Sequence, residues 1–599
     1  MIRVRGLKVW FSQRRGLLKD VLGSGDAWVK AVDGIDLDVR RREILCLVGE
    51  SGCGKTTTGK ALLRLAEPTD GDVLFEMPDA DYRRYEDARN HPDDPAQAAT
   101  LEDLRRRYSF TWIPNDPWTP KDILTTTAAI AVAAFLVLTV PALLVALLQQ
   151  PFTNQWMVLG TSIFIGFVLG TVGSLPPSRP TRRTPAFLAL LALAIMNIGP
   201  LFALDLYAVA LQGPGARFDV PSALGFLWTD TAFAMLIGQV FAPGLAAGLS
   251  RVILDLRSTS EGLAGIKIRS MRRRLHMIFQ DPYESLNPKQ SVFEIVSEPV
   301  RVNRLTSSQE ETVAQVTRAL NDAGLRPAEE LMFRFPHELS GGQRQRVSIA
   351  AALALEPEFV VADEPVSMLD VSIRTDILQL LLELREKKGL TYLFITHDLG
   401  LAWVLADRIA VMYLGKIVEI GTAEQVIGHP RHPYTQALIS VVPSPDPRKK
   451  VNRVILKGER PDPVNIPAGC RFHPRCPVAF ERCGWTADEV VDELRSLQGQ
   501  GMLIGIAALQ AQDPKTIGIA LAPGANPEAV AESLRNFVAE HRSSRLALKG
   551  ISEVRVSAGY VYASMHAWSE PPLVELEPGN AAACHLVTPP TQTDMTVTA

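Results

Sequence analysis

Leu339-Ser340-Gly341-Gly342-Gln343 is followed, twenty residues after its last member, by Asp363-Glu364. The four apolar residues Phe359-Val360-Val361-Ala362 run directly into the acidic pair, which places both carboxylates at the end of a buried strand. Far upstream, Gly49-Glu50-Ser51-Gly52-Cys53-Gly54-Lys55-Thr56 fits the phosphate-loop spacing GxxxxGK[ST]. The apolar run Ile44-Leu45-Cys46-Leu47-Val48 precedes it, and Thr57 continues it into a helix. Glycines at 49, 52 and 54 let amide N–H groups wrap phosphate oxygens, and the helix starting near Lys55 adds its positive end. In that geometry Lys55 reaches the β- and γ-phosphates and the Thr56 hydroxyl ligates Mg²⁺. Asp363 is placed to hold the same cation through water, and Glu364 to polarise an attacking water. The amides and hydroxyl of Ser340, Gly341 and Gly342, with Gln343, form a second anion site at a helix start.

Together these motifs resemble the ATP-binding subunit of ABC transporters, and further details resemble its oligopeptide/dipeptide importer branch. Those details are Asn287-Pro288, His432-Pro433-Tyr434-Thr435 and the cysteine pattern below. The resemblance covers residues 1–78, 267–484 and 569–587. It implies that Gln280, in Phe279-Gln280-Asp281-Pro282, touches Mg²⁺ and the lytic water and faces membrane subunits. It implies that His397, in Ile395-Thr396-His397-Asp398, contacts the γ-phosphate, and that Ser367-Met368-Leu369-Asp370 is a dimer-contact loop. Trp10 or Phe11 stands where the family stacks an aromatic on adenine. Ser340 to Gln343 would close on nucleotide held by a second ATPase domain, so one chain carries two half-sites.

The C-terminal region reads Cys470-Arg471-Phe472-His473-Pro474-Arg475-Cys476-Pro477, then Cys483 and, about a hundred residues later, Cys584. The resemblance implies a [4Fe–4S] cluster on Cys470, Cys476, Cys483 and Cys584. The residues themselves leave a Cys₄ zinc site or free thiols open. Six cysteines in 599 residues argue against a disulfide scaffold. Cys46 and Cys53 sit in the core strand and the phosphate loop and need no metal.

A net charge of −3 gives no electrostatic reason to expect nucleic acid as a partner. Hydrophobic residues reach 47%, and the excess is local: residues 123–178 contain no Asp, Glu, Lys, Arg or His. Four stretches, 125–148, 156–175, 186–211 and about 223–254, are each long enough to cover ~30 Å of hydrocarbon. Arg105-Arg106-Arg107 and Lys121 precede the first, Arg179, Arg182 and Arg183 join the second to the third, and Arg251 and Arg257 follow the fourth. By the positive-inside rule both ends of this insert are cytoplasmic. Asp205 and Asp230 read as interface anchors of these spans rather than as intramembrane acids.

The expected fold is therefore an α/β P-loop ABC ATPase core, interrupted by a four-helix transmembrane unit and ended by a cysteine-containing α+β extension. The expected domains are 1–78, the first half of the ATPase; 79–122, a polar linker or loosely structured hairpin; 123–254, the membrane unit; 255–442, the second half; and 443–599, a C-terminal region with an inserted α+β segment at about 485–560. Function follows as a multi-pass membrane ATPase using ATP and Mg²⁺ to energise peptide uptake. Its partners would be permeases, a second ATPase domain, membrane lipid and, indirectly, an extracytoplasmic binding protein. The alternative from another class is a membrane-anchored ATPase with a sensor role and no transport of its own.

Overall fold

In the computed structural model the described residues are 1–13, 27–109, 271–442, 453–499 and 503–587. The four expected membrane spans lie outside them; among the described residues no helix is long and apolar enough to cross a membrane.

The chain opens with β1 (Ile2–Gln13) and β2 (Ala27–Val39), followed by β3 (Ile44–Val48) and β4 (Asp70–Phe75). Strands β2, β1 and β4 form an antiparallel sheet. Its inward positions Ile2, Val4, Leu7, Val9, Val32, Ile35, Leu37 and Val39 are buried, as the period-two alternation requires. The second sheet is centred on β3, whose five residues are all buried. It is joined by β5 (Leu275–Ile278), β6 (Phe359–Asp363), β7 (Thr391–Thr396), β8 (Arg408–Tyr413) and β9 (Lys416–Thr422). Five strands in the order β8-β3-β7-β6-β5 are parallel, and β9 pairs antiparallel with β8. Continuous apolar runs rather than alternation are what a parallel sheet covered on both faces selects.

Residues 79–108, expected as a polar linker or loose hairpin, instead form two helices, Asp79–Asn90 and Pro95–Tyr108. Tyr85, Ala88, Leu101 and Leu104 close on Leu74 and Met77 as a small separate core. Asp72, 2% exposed, accepts hydrogen bonds from the Tyr85 hydroxyl (2.6 Å) and Arg105 Nε (2.8 Å). The few apolar residues are spaced widely among charges, so only the tertiary contact with β4 reveals the pattern. A long helix runs Val371–Lys388.

The C-terminal region contains an α+β unit whose buried residues join one core with those of the ATPase. Helices Ala487–Gly499 and Pro527–His541 accompany β10 (Ile506–Asp513), β11 (Thr516–Leu521), β12 (Ile551–Ser557) and β13 (Tyr560–Met565). The four strands make an antiparallel sheet in the order β10-β11-β13-β12. After it the chain returns to the ATPase as β14 (Val574–Glu577) and β15 (Asn580–Ala582), which extend the large sheet beyond β9. The Ala583 amide donates to the Val418 carbonyl (2.8 Å), so strand pairing sets the position of the adjacent Cys584.

Candidate nucleotide site

The parallel strands end together, and the site lies at their carboxyl edge, where open α/β sheets bind ligands. Val48 is opposite Thr396 and Asp363 is opposite Ile395, so the phosphate loop, the acidic pair and His397 emerge side by side. The loop leads into the helix Lys55–Leu62. Gly54 has φ +111°, and a Cβ there would stand 2.2 Å from the Ala31 carbonyl oxygen, so only glycine fits. Lys55 is buried, and its Nζ donates to the carbonyls of Gly49 (2.7 Å) and Glu50 (3.0 Å). The ammonium is thereby curled into the loop, where phosphate oxygens would exchange with those carbonyls.

Thr56 Oγ1 donates to Asp363 Oδ1 at 3.0 Å. Burial pushes the Asp363 carboxyl above its usual range, the neighbouring Glu364 adds to this, and the Thr56 hydrogen bond opposes it. A divalent cation here would relieve that burden. Glu364 sits in the left-handed backbone region (φ +43°), its amide tied to the Ile395 carbonyl at 2.9 Å. Such conformations in non-glycine residues concentrate at functional sites. Its carboxylate accepts from Gln280 Nε2 at 3.1 Å and pairs with His397 Nδ1 at 3.2 Å. Three residues scattered over more than a hundred positions thus meet beside Thr56 and Asp363.

Other expected site residues lie elsewhere. Ser340 caps the helix Gly341–Leu353 in a reciprocal box with Gln343, and a Cβ on Gly342 would come 2.6 Å from Ile373. Among the described residues, the hydrogen bonds of Ser340 and Gln343 stay within this cap and do not reach the phosphate loop. Trp10 donates its indole N–H to Asp33 (3.0 Å) and lies under the Lys30 ammonium, while Phe11 is exposed. Cys53 is buried within the loop, Ser51 and Gly52 are exposed, and Thr57 is half-buried.

Cys470, Cys476, Cys483 and Cys584 line one small pocket, walled by Phe472, Phe480 and Val478. All four are buried and unbridged. Burial pushes the thiols up, to about 12 for Cys470 and Cys476 and about 11 for Cys483. Among the described residues no three His, Cys, Asp or Glu side chains stand close enough to grip a single metal ion.

The motif reading missed a second set of contacts on the phosphate loop. The Glu50 amide donates to the Tyr434 hydroxyl (2.9 Å), and Arg475 forks onto the Glu50 carboxylate (2.8 and 3.1 Å). Arg460 donates to the Ser51 carbonyl. The signal was present in His432-Pro433-Tyr434-Thr435 and in the cysteine motif, but nothing in either spacing points to the loop.

A family model described as ABC transporter matches residues 32–109 and 248–367. One described as the oligopeptide/dipeptide transporter C-terminal region matches 418–483. The putative oligopeptide transport ATP-binding protein YkfD of Bacillus subtilis is 46% identical over 249 residues, which is 39% of this chain and 75% of that protein. The oligopeptide transport ATP-binding protein OppF of Escherichia coli is 47% identical over 250 residues, 40% of this chain and 74% of that protein. This chain belongs to the oligopeptide/dipeptide ABC transporter ATP-binding proteins. As an ABC ATPase it binds and hydrolyses ATP, and ATPase domains of this kind dimerise and work with permease partners. Residues 110–247 and 484–599 of this ABC ATPase fall outside both family models.

Proposed function

We propose that the chain energises uptake of oligopeptides, dipeptides or a similar small solute through partner permeases, with substrate delivered by an extracytoplasmic binding protein. The names of the relatives support the peptide class. The observation that carries the catalytic reading is the meeting of Gln280 and His397 on Glu364, next to the Thr56–Asp363 pair. In this reading Lys55 and the amides of Gly49 to Thr57 hold the phosphates. Thr56, Asp363 and Gln280 hold Mg²⁺. Glu364 takes the proton of the attacking water, in line with the leaving phosphate, while His397 donates to the γ-phosphate. Trp10 or its exposed neighbour Phe11 packs on adenine. Ser340, Gly341, Gly342 and Gln343 cap nucleotide on a second ATPase domain, because they stand apart from this chain's own loop.

The stretches at 125–148, 156–175, 186–211 and 223–254 anchor the ATPase in the membrane, with both halves on the cytoplasmic side. Cys470, Cys476, Cys483 and Cys584 would hold the [4Fe–4S] cluster that the family resemblance implies, through their thiolates.

Co-purification from membranes in mild detergent tests the transport reading. Permease subunits should accompany the chain, and a strictly monomeric chain hydrolysing ATP at full rate would refute the paired half-sites. Visible sulfur-to-iron absorbance in anaerobically purified protein, lost in Cys476→Ser, tests the cluster.

A further inference from the structure

The geometry points to Arg475 as a positioning residue for the phosphate loop, and we propose that through it the state of the four-cysteine ring and the affinity for nucleotide are coupled. Glu50 is the second residue of the loop, and a carboxylate there would only repel phosphate. Its role is instead to be held. Arg475 Nη1 and Nη2 donate to its two oxygens at 2.8 and 3.1 Å, a two-pronged arrangement that fixes orientation as well as distance. The pair is largely withdrawn from water, with the side chains 10% and 28% exposed. The backbone of Glu50 is held too. Its amide donates to Tyr434, and its carbonyl accepts from Lys55, the side chain that grips phosphate. A shift of the Arg475–Glu50 pair therefore reaches Lys55 through one residue.

Arg475 is equally bound to the thiols. It ends the one-turn helix His473–Arg475 and precedes Cys476. The Cys470 amide donates to the Cys483 carbonyl (2.8 Å), the His473 amide to the Cys470 carbonyl (3.0 Å), and the Cys476 amide to the His473 carbonyl (3.2 Å). Three of the four cysteines and Arg475 thus form one hydrogen-bonded segment. The α+β unit secures the same segment from its other side. Buried His473 meets Glu489 at 3.1 Å and Trp485 edge-on at 4.6 Å, and Lys549 donates to the Ala479 carbonyl at 3.1 Å. Whatever rearranges the sulfurs, whether ligation, oxidation or alkylation, strains the fork on Glu50. By linkage, nucleotide binding must act back on the thiols by the same factor.

The coupling is independent of what the thiols hold, but it rests on the loop at 49–56 being the nucleotide site. The experiment uses the full-length chain as purified in detergent. N-ethylmaleimide labelling of Cys470, Cys476, Cys483 and Cys584, after any bound metal has been stripped with chelator, is followed by mass spectrometry with and without Mg-ATP, and Kd for ATP is measured alongside. The unsubstituted chain should change its labelling rate severalfold on nucleotide binding, and Arg475→Gln should abolish that response. Arg475→Gln and Glu50→Gln should each weaken ATP binding roughly tenfold, with the double variant no weaker than either and Arg475→Lys intermediate. A purely structural pair would leave the labelling response intact in Arg475→Gln. ATP binding with no change in thiol labelling of the unsubstituted chain overturns the proposal without any variant. No ATP binding at all would instead defeat the reading of the loop.

Discussion

Replacing Glu364 by glutamine separates chemistry from binding at this site. The amide is the same shape as the carboxylate, so it still accepts from Gln280 Nε2, now 3.1 Å away, and still fills the space beside His397. The groups proposed to hold nucleotide and cation, Lys55, Thr56 and Asp363, keep their contacts. What is lost is the proton acceptor for water, and positioned acid–base groups contribute about 10²–10⁴-fold. That corresponds to ~3–5 kcal/mol of barrier, so kcat should fall by that factor while KM for ATP moves less than about threefold. Gln280→Ala removes one hydrogen bond to a charged group, worth about 1.5–3 kcal/mol, together with a proposed Mg²⁺ ligand, so its defect should show in KM for Mg-ATP as well as in kcat. The assay is steady-state phosphate release at saturating Mg-ATP, with ATP affinity measured in parallel. A Glu364→Gln chain within tenfold of the parent kcat, or one whose defect lies in KM, would refute the assignment.

Tyr434→Phe keeps the ring packing against Tyr413 and Phe472 but takes the acceptor from the Glu50 amide. An unsatisfied amide costs about 1–3 kcal/mol of folded-state stability, so the thermal midpoint should fall by a few degrees, and ATP affinity should drop about fivefold in a titration as the loop loses its anchor. Burial holds His432 at about 3 and His276 at about 4, below the unfolded value. Their folded forms stay neutral while the unfolded chain takes up protons, so their contribution to stability is full above pH ~6.5 and declines as pH falls towards the folded values, by about 1.4 kcal/mol per pH unit for each group. Denaturant midpoints measured against pH should show this slope, reduced in His432→Asn, which can still cap its helix. Gly550→Ala puts a Cβ 2.4 Å from Trp485 Cβ, and overpacking of this kind costs about 1–3 kcal/mol. Proteolysis should show the α+β unit loosening before the ATPase core.

The amino-acid sequence alone determined the local geometry of the candidate nucleotide site. Glycine spacing, a lysine and a hydroxyl at a helix start, and two acids ending an apolar run each act through local backbone geometry, so their pattern survives in one dimension. Gln280 and His397 were legible only by resemblance, because no local rule distinguishes either from an ordinary surface residue. Their convergence on Glu364 comes from three parallel strands ending at one sheet edge. The two helices at 79–108 were hidden because their apolar positions are few and complete a core only against Leu74 and Met77. The links from Arg475, Arg460 and Tyr434 to the phosphate loop were likewise invisible. They join residues separated by some four hundred positions, through contacts that exist only after β9, the cysteine segment and the returning strand β15 have packed against the ATPase sheet. Long-range hydrogen bonds leave no period in the sequence, so only the assembled tertiary structure decides them.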